Sequence, residues 1–214
     1  MTKSSTKPKG ATSYKETTFG IVPHTKLLKL ELEGTKKGLE FLLNLASKDT
    51  KPLVTPEIIK QLHMVSFGWI FPDWAGKFRI VQVVFSGKEA APYYEVPELV
   101  VNLCRDLEER LLHLPKIDNN SYITDVVSLL AWFQHGFVLI HPFKDYNGRT
   151  ARMLTSLILF YLDMPPIELQ ADTELDRIKY LNAMREADNG DYSLLENLIG
   201  KAMIESFDEI QKKK

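Results

Sequence analysis

Cysteine is nearly missing from this chain. One residue, Cys104, stands among 214. It cannot form an internal disulfide, and it suits a reducing compartment. Its setting, Leu-Val-Val-Asn-Leu-Cys-Arg, reads as helix, so Cys104 is expected to be a buried small hydrophobe rather than a nucleophile. A charge excess is also missing. Lys and Arg number 27 against 28 Asp and Glu, for a formal net charge of −1. No global field draws such a chain to nucleic acid or to anionic membrane. Long apolar runs are scarce too. The most apolar, Val126 to Ile140, holds Gln134 and His135 and is shorter than the roughly 20 residues a spanning helix needs. The first twenty residues are rich in Lys, Ser and Thr without an apolar centre, unlike a secretory signal, and are expected to be a disordered tail. Histidines at ligand spacing are absent. His135 and His141 are six apart, on different faces of a helix, so a transition-metal centre is not expected. The expectation is a cytoplasmic protein with neither nucleic acid nor membrane as partner.

What is present is a core and a helical rhythm. Hydrophobic residues make up 44% of the chain, ample for one domain. Apolar residues recur at helical spacing from Thr25 to Leu45, around Gly34. Thr55-Pro56 reads as a cap and first turn of a helix through Val65. Pro97 opens another, with Leu99, Val100, Leu103, Leu107 and Leu111 on one face, ending before Pro115. Asn119 or Asn120 caps a long helix to about Val138, and Asn147 caps the next, Gly148 to Leu162, stopped by Pro165 and Pro166. Two more run from Thr173 to Ala187 and from Ser193 to Gln211. One stretch breaks the rhythm. Lys77 to Phe85 is β-branched and aromatic and leads into Ser86-Gly87, the pattern of a short hairpin on a helical body.

Between the two most apolar helices lies Ile140-His141-Pro142-Phe143-Lys144-Asp145-Tyr146-Asn147-Gly148-Arg149-Thr150-Ala151-Arg152. A polar, cationic turn that opens a helix suits an anion, because free N–H groups and the helix dipole both face it. Pro142 stops the preceding helix and fixes the chain direction, and Phe143 is expected to point inward. His141 brings a proton acceptor. Asp145 is a hard oxygen ligand of the kind Mg²⁺ takes beside substrate phosphates. Asn147 and Gly148 can nest phosphate oxygens. Arg149 and Arg152, three apart, share a helix face and can clamp a polyphosphate. Two cations at a helix N-terminus oppose the dipole by about 0.3–1 kcal/mol each, which an anion would offset. The competing reading is an ordinary Asn-Gly turn with solvated arginines.

These residues resemble the signature of the Fic family, His-Pro-Phe-x-(Asp/Glu)-Gly-Asn-Gly-Arg-x-x-Arg. Tyr146 alone departs, standing where the family usually has glycine. Leu62-His63, Ala75-Gly76-Lys77-Phe78-Arg79 and Val96-Pro97 are similar to the family's region around its flap. Pro165-Pro166, Tyr180 and Gly190-Asp191-Tyr192 resemble its later helices. The resemblance implies an all-α Fic-type helical bundle with a short β-hairpin flap, and transfer of AMP from Mg²⁺-bound ATP to a Tyr, Thr or Ser hydroxyl of a protein. It implies that His141 is the general base and that Asp145 holds Mg²⁺. Asn147, Gly148 and Arg149 would position the phosphates, Arg152 the γ-phosphate, and Tyr180 would lie near the nucleobase. Arg149, where Doc-type kinases carry lysine, favours AMP over phosphate transfer.

Three further expectations follow from the resemblance. The hairpin residues Ile80, Val81, Gln82 and Val83 would dock the target as an added strand. Glu33-Gly34 partly matches an inhibitory motif, lacking its Ser/Thr because Lys29 stands there. Glu33 would then pair with Arg152 and block the γ-phosphate. The chain would divide into a tail (1–20), a helical segment with the inhibitory motif (21–50) and the Fic core (51–214). Glycine takes positive φ without strain and tyrosine does not, so Tyr146 leaves open a weakly catalytic, nucleotide-binding regulator. Another donor nucleotide, AMP removal and self-assembly into a homo-oligomer also stay open.

Overall fold

A computed structural model describes residues 14–47, 51–169 and 173–212. Among these residues, seven helices and two small hairpins form the body. The first hairpin pairs β1 (Tyr14–Thr17) with β2 (Gly20–Pro23), Tyr14 opposite Pro23. It corrects the expected tail, which runs through residue 20. Residues 1–13 of that tail lie outside the described residues. Thr18 ties this hairpin to the body, its N–H and hydroxyl both donating to the Ile70 carbonyl.

Helix α1 (His24–Ala46) crosses α2 (Pro56–Phe67). The Thr55 hydroxyl caps α2 by accepting the Ile58 N–H, with Pro56 in the first turn, as its sequence requires. Gly34 and Gly38 face α2 in the middle of α1. A Cβ on Gly34 would lie 2.3 Å from the Ser66 carbonyl oxygen, and one on Gly38 2.2 Å from the Ser66 hydroxyl oxygen. Gly34 is therefore a helix-crossing residue, not the end of a helix.

The long apolar helix is α4 (Tyr122–Ile140), which packs against α3 (Val96–Leu112), α5 (Asn147–Tyr161) and α7 (Ser193–Lys212). With its first turn included it is long and apolar enough to cross a bilayer, by length and composition only, and 56% of its apolar window is buried in the body. Val126, Leu130, Phe133 and Phe137 are fully buried there, each worth roughly 1.5–3 kcal/mol. Its cap is Ser121, whose N–H donates to Asn119. Helix α6 (Glu174–Asp188) packs on α7 and is capped by Thr173. Cys104 on α3 is buried, and burial pushes its thiol up to about 12, in line with its reading as a hydrophobe.

The second hairpin is smaller than the sequence suggests. Only Val84–Phe85 (β3) and Lys88–Glu89 (β4) pair as strands. The expected strand from Lys77 shrinks because residues 78–82 follow the Arg79 side chain and not a partner strand. Arg79 sends one N–H to the Val81 carbonyl, and the Gln82 amide donates to the Ala90 carbonyl.

Candidate active site

The site is the bend between α4 and α5, bracketed by two left-handed residues. His141 ends α4 at φ 52°, ψ 58°, and Tyr146 precedes α5 at φ 61°, ψ 16°. Each such non-glycine residue costs about 1–2 kcal/mol, so the surroundings must hold it. Between them the loop closes on itself. The Asn147 side chain accepts the Phe143 N–H and donates to the Phe143 carbonyl, both at 2.9 Å, and is buried. The Asn147 amide is committed inside the loop, which leaves its backbone N–H, at the N-terminus of α5, as its donor to an anion.

The imidazole of His141 is set for proton acceptance. Its Nδ1 lies 3.2 Å from the Val138 carbonyl oxygen. A carbonyl only accepts, so Nδ1 carries the proton and Nε2 keeps the lone pair. Phe85 of β3 stacks on the ring at 4.2 Å and 13°. Burial, with smaller contributions from Arg79 and Lys88, lowers the His141 pKa against the opposing Val138 bond and Asp145 charge. The ring is therefore neutral near pH 7.

Behind the loop lies His63 of α2, which is fully buried. Its Nδ1 accepts the Gly76 N–H at 2.9 Å and its Nε2–H donates to the Asp145 carbonyl at 3.1 Å. The ring stacks on Phe143 at 3.8 Å. Burial brings its pKa down to about 4. His63 is thus a neutral strut between the residues before the flap and the loop.

Tyr146 has a built pocket. Its ring stacks on Phe67 at 4.3 Å and lies near Phe71 and Trp74. Its hydroxyl donates to Glu31 Oε1 at 2.6 Å. Burial and the Glu31 carboxylate push its pKa far above the ordinary phenol value, so it remains a donor. The other Glu31 oxygen lies 2.8 Å from Arg149 Nη1. Glu31 is buried on α1. Glu33, two positions on and about 200° round the helix, is exposed and pairs with Lys37 at 3.0 Å. The expected Glu33–Arg152 pair is therefore corrected: the α1 glutamate that reaches the loop is Glu31, and its partner is Arg149.

Arg152 lies over the Tyr180 ring, 5.4 Å from its centroid. Tyr180 is buried, and burial raises its pKa. Arg149 and Arg152 line one end of a cavity of about 550 Å³ that runs between α1, α5 and α7, lined further by Met153, Phe160 and Ala202. His141 is not part of its wall. Gly148 is the second residue of α5. A Cβ there would stand 3.7 Å from Arg152 Nη1, an ordinary contact, so packing in the free protein does not require glycine. Asp145 Oδ1 accepts the Tyr146 N–H at 2.7 Å. Among the described residues no three His, Cys, Asp or Glu side chains gather to hold a metal. A single carboxylate fits Mg²⁺ that draws its other ligands from phosphate and water.

A profile of the Fic/DOC family matches residues 53–159, half of the chain. The chain belongs to the Fic/DOC family. It is 32% identical over 162 residues to a protein adenylyltransferase fic-1 from Caenorhabditis briggsae, covering 75% of this chain and 29% of the relative. It is 27% identical over 176 residues to a protein adenylyltransferase Fic from Nematostella vectensis, covering 82% and 38%. A solved structure of Fic-1 residues 134–508 from C. elegans superposes with a TM-score of 0.64 at 27% identity, over 86% of this chain and 52% of that one. The chain thus spans about three tenths of its worm relative's length. The helical Fic fold expected from the sequence is the one observed.

The Fic hairpin exposes Ile80 and Val81, 82% and 52% accessible, with Val84 beside them. Gln82 and Val83 are partly engaged at home, the Val83 carbonyl accepting the Ala90 N–H. Lys88 and Asp188 form a salt bridge that pins β4 to the end of α6, and the His135 Nε2–H donates to the same carboxylate at 2.9 Å. Sequence reasoning passed over Arg79, Glu31 and Phe85 as site residues. Their roles arise from contacts between segments distant in the chain, for which one sequence holds no signal.

Proposed function

We propose that this chain transfers AMP from Mg²⁺-bound ATP to a Tyr, Thr or Ser hydroxyl of a protein. The observation that carries the reading is the 3.2 Å approach of His141 Nδ1 to the Val138 carbonyl: a carbonyl only accepts, which assigns the proton to Nδ1 and leaves Nε2 as the acceptor, on the loop that leads into the N-terminus of α5. Nε2 would take the proton of the incoming hydroxyl. That oxygen would bond to the α-phosphorus while the bond to the bridging oxygen breaks and pyrophosphate leaves. The α5 N–H groups, Arg149 and Arg152 would hold the phosphate charge, which is where most of the barrier reduction in such transfers originates. Asp145 would hold the Mg²⁺, whose chemistry is to neutralise phosphate charge. Tyr180, beneath Arg152, would flank the nucleotide. The exposed edge at Ile80, Val81 and Val84 would receive the target backbone.

Restraint by α1 belongs to the same proposal, through Glu31 rather than Glu33. A carboxylate on Arg149 competes with phosphate for one guanidinium. Glu31→Gln keeps an acceptor for Tyr146 and removes the charge. ATP affinity should rise about tenfold, roughly 1.4 kcal/mol, while Glu33→Gln leaves it unchanged. Equal affinities in all three proteins would refute this restraint.

The reaction itself is tested with ATP labelled on the α-phosphate and a protein extract. His141→Ala should lower label transfer by about 10²–10⁴-fold; undiminished transfer would remove the base. Replacing ATP by CTP, GTP or UTP should reduce labelling. Stronger labelling from another donor would overturn the choice of AMP.

A further inference from the structure

Arg79 is buried, 5% accessible, and among the described residues no carboxylate pairs with it. A buried guanidinium without a counter-charge is costly unless its donors are satisfied. Here they are satisfied by carbonyl groups. Nε donates to the His141 carbonyl at 2.7 Å and Nη2 to the Ile140 carbonyl at 3.2 Å. Nη2 also donates to the Ala91 carbonyl and Nη1 to the Val81 carbonyl. The Arg79 backbone N–H donates to the Pro142 carbonyl at 2.9 Å.

The partners fall into two sets. Ile140, His141 and Pro142 are the end of α4 and the start of the catalytic loop. The last carbonyls of a helix have no intrahelical donor, and a cation there complements the dipole. Val81 and Ala91 are the two ends of the flap, which carries Phe85 over the His141 ring. One side chain therefore grips the backbone of the base and the root of the hairpin that covers it. A planar fork with fixed donors can meet such a set of carbonyls; a lysine, with a single ammonium, cannot.

We propose that Arg79 is the positioning residue of the general base, holding His141 in its left-handed turn and fastening the flap to the catalytic loop in the same grip. The inference rests on His141 acting as the base for AMP transfer. Arg79 touches no reacting atom. It acts through the His141 backbone and, by its charge, on the imidazole. The charged groups bearing on that imidazole are Arg79 and Lys88 on the flap side and Asp145 on the loop.

Arg79→Lys and Arg79→Gln in the full chain test it with three readouts: nucleotide Kd by calorimetry, transfer rate at saturating ATP, and the His141 imidazole titration by NMR without nucleotide or metal. The expected result is a Kd within threefold of the parent and a saturated rate 10–100-fold lower in both variants. The imidazole titration midpoint should move upward in Arg79→Gln, and less in Arg79→Lys. A rate within twofold of the parent in both variants would overturn the proposal. So would an unmoved titration in Arg79→Gln, or loss of nucleotide binding in step with rate, which a general structural role produces. A parent that binds ATP but transfers nothing defeats the AMP-transfer reading, and the titration then judges Arg79 by itself. If both variants fail to fold, the Arg79 Nε–H of the parent decides. A slowly exchanging, resolved signal is expected, and exchange at the solvent rate overturns the grip.

Discussion

Tyr146 holds a left-handed backbone conformation at φ 61°, and the chain surrounds it with Phe67, Phe71, Trp74 and Glu31. The aromatic stack offsets the left-handed backbone, and the hydroxyl satisfies a buried carboxylate. Tyr146→Phe keeps the stack and removes the hydroxyl bond, so it should destabilise the fold by about 1–3 kcal/mol, read as a lower urea midpoint at unchanged slope. A midpoint equal to the parent's would mean Glu31 does not depend on it. His63 carries a pH prediction. Its folded pKa, about 4, lies below its ordinary value near 6.5. The unfolded chain then binds the proton more readily, so the contribution is complete above about pH 6.5 and is lost as pH falls through 4. Unfolding free energy should drop by roughly 3 kcal/mol between pH 7.5 and 4 on this account. His63→Gln should flatten that slope; an equally steep slope would assign the acid sensitivity elsewhere. The motif residues were readable because they are adjacent in sequence. Glu31 was not, because α1 carries three glutamates, Glu31, Glu33 and Glu40, and only the crossing of α1 over the loop decides which one faces inward.

Helix boundaries were largely legible. The Thr55-Pro56 start and the Pro97 turn fall where capping chemistry put them, whereas Ser121 precedes α4 in place of Asn119 or Asn120, and Tyr146 precedes α5 in place of Asn147, whose side chain turns back to Phe143. The hairpin was less so. Lys77–Phe85 has strand composition, yet the Arg79 grip and the Gln82 amide take up the polar groups that a longer ladder would use. Gly34 illustrates the same limit. Its role lies in the approach of α1 to the Ser66 carbonyl, which periodicity cannot reveal. Gly34→Ala forces a methyl to 2.3 Å from that oxygen, so α1 must shift. The expected cost is about 1–3 kcal/mol, typical of overpacking, together with a weakened Glu31–Arg149 pair. Calorimetric melting and ATP affinity check both halves; an unchanged melting temperature would show that the helices are not in contact there.

At the scale of the molecule, a helical body holds one bend. Helix α4 ends on His141, the proposed base, α5 opens with the proposed phosphate site, α1 brings the Glu31 carboxylate to Arg149, and the hairpin lays Phe85 on the imidazole. Intact-mass analysis decides whether this arrangement moves AMP, as proposed. The Glu31→Gln protein is incubated with Mg·ATP and a protein extract in which the α- or the γ-phosphate is labelled. One added adenylyl group is expected on the chain or on a target, labelled from the α-phosphate alone and absent with His141→Ala. Label from the γ-phosphate alone, or ATP bound with no protein modified, would contradict it.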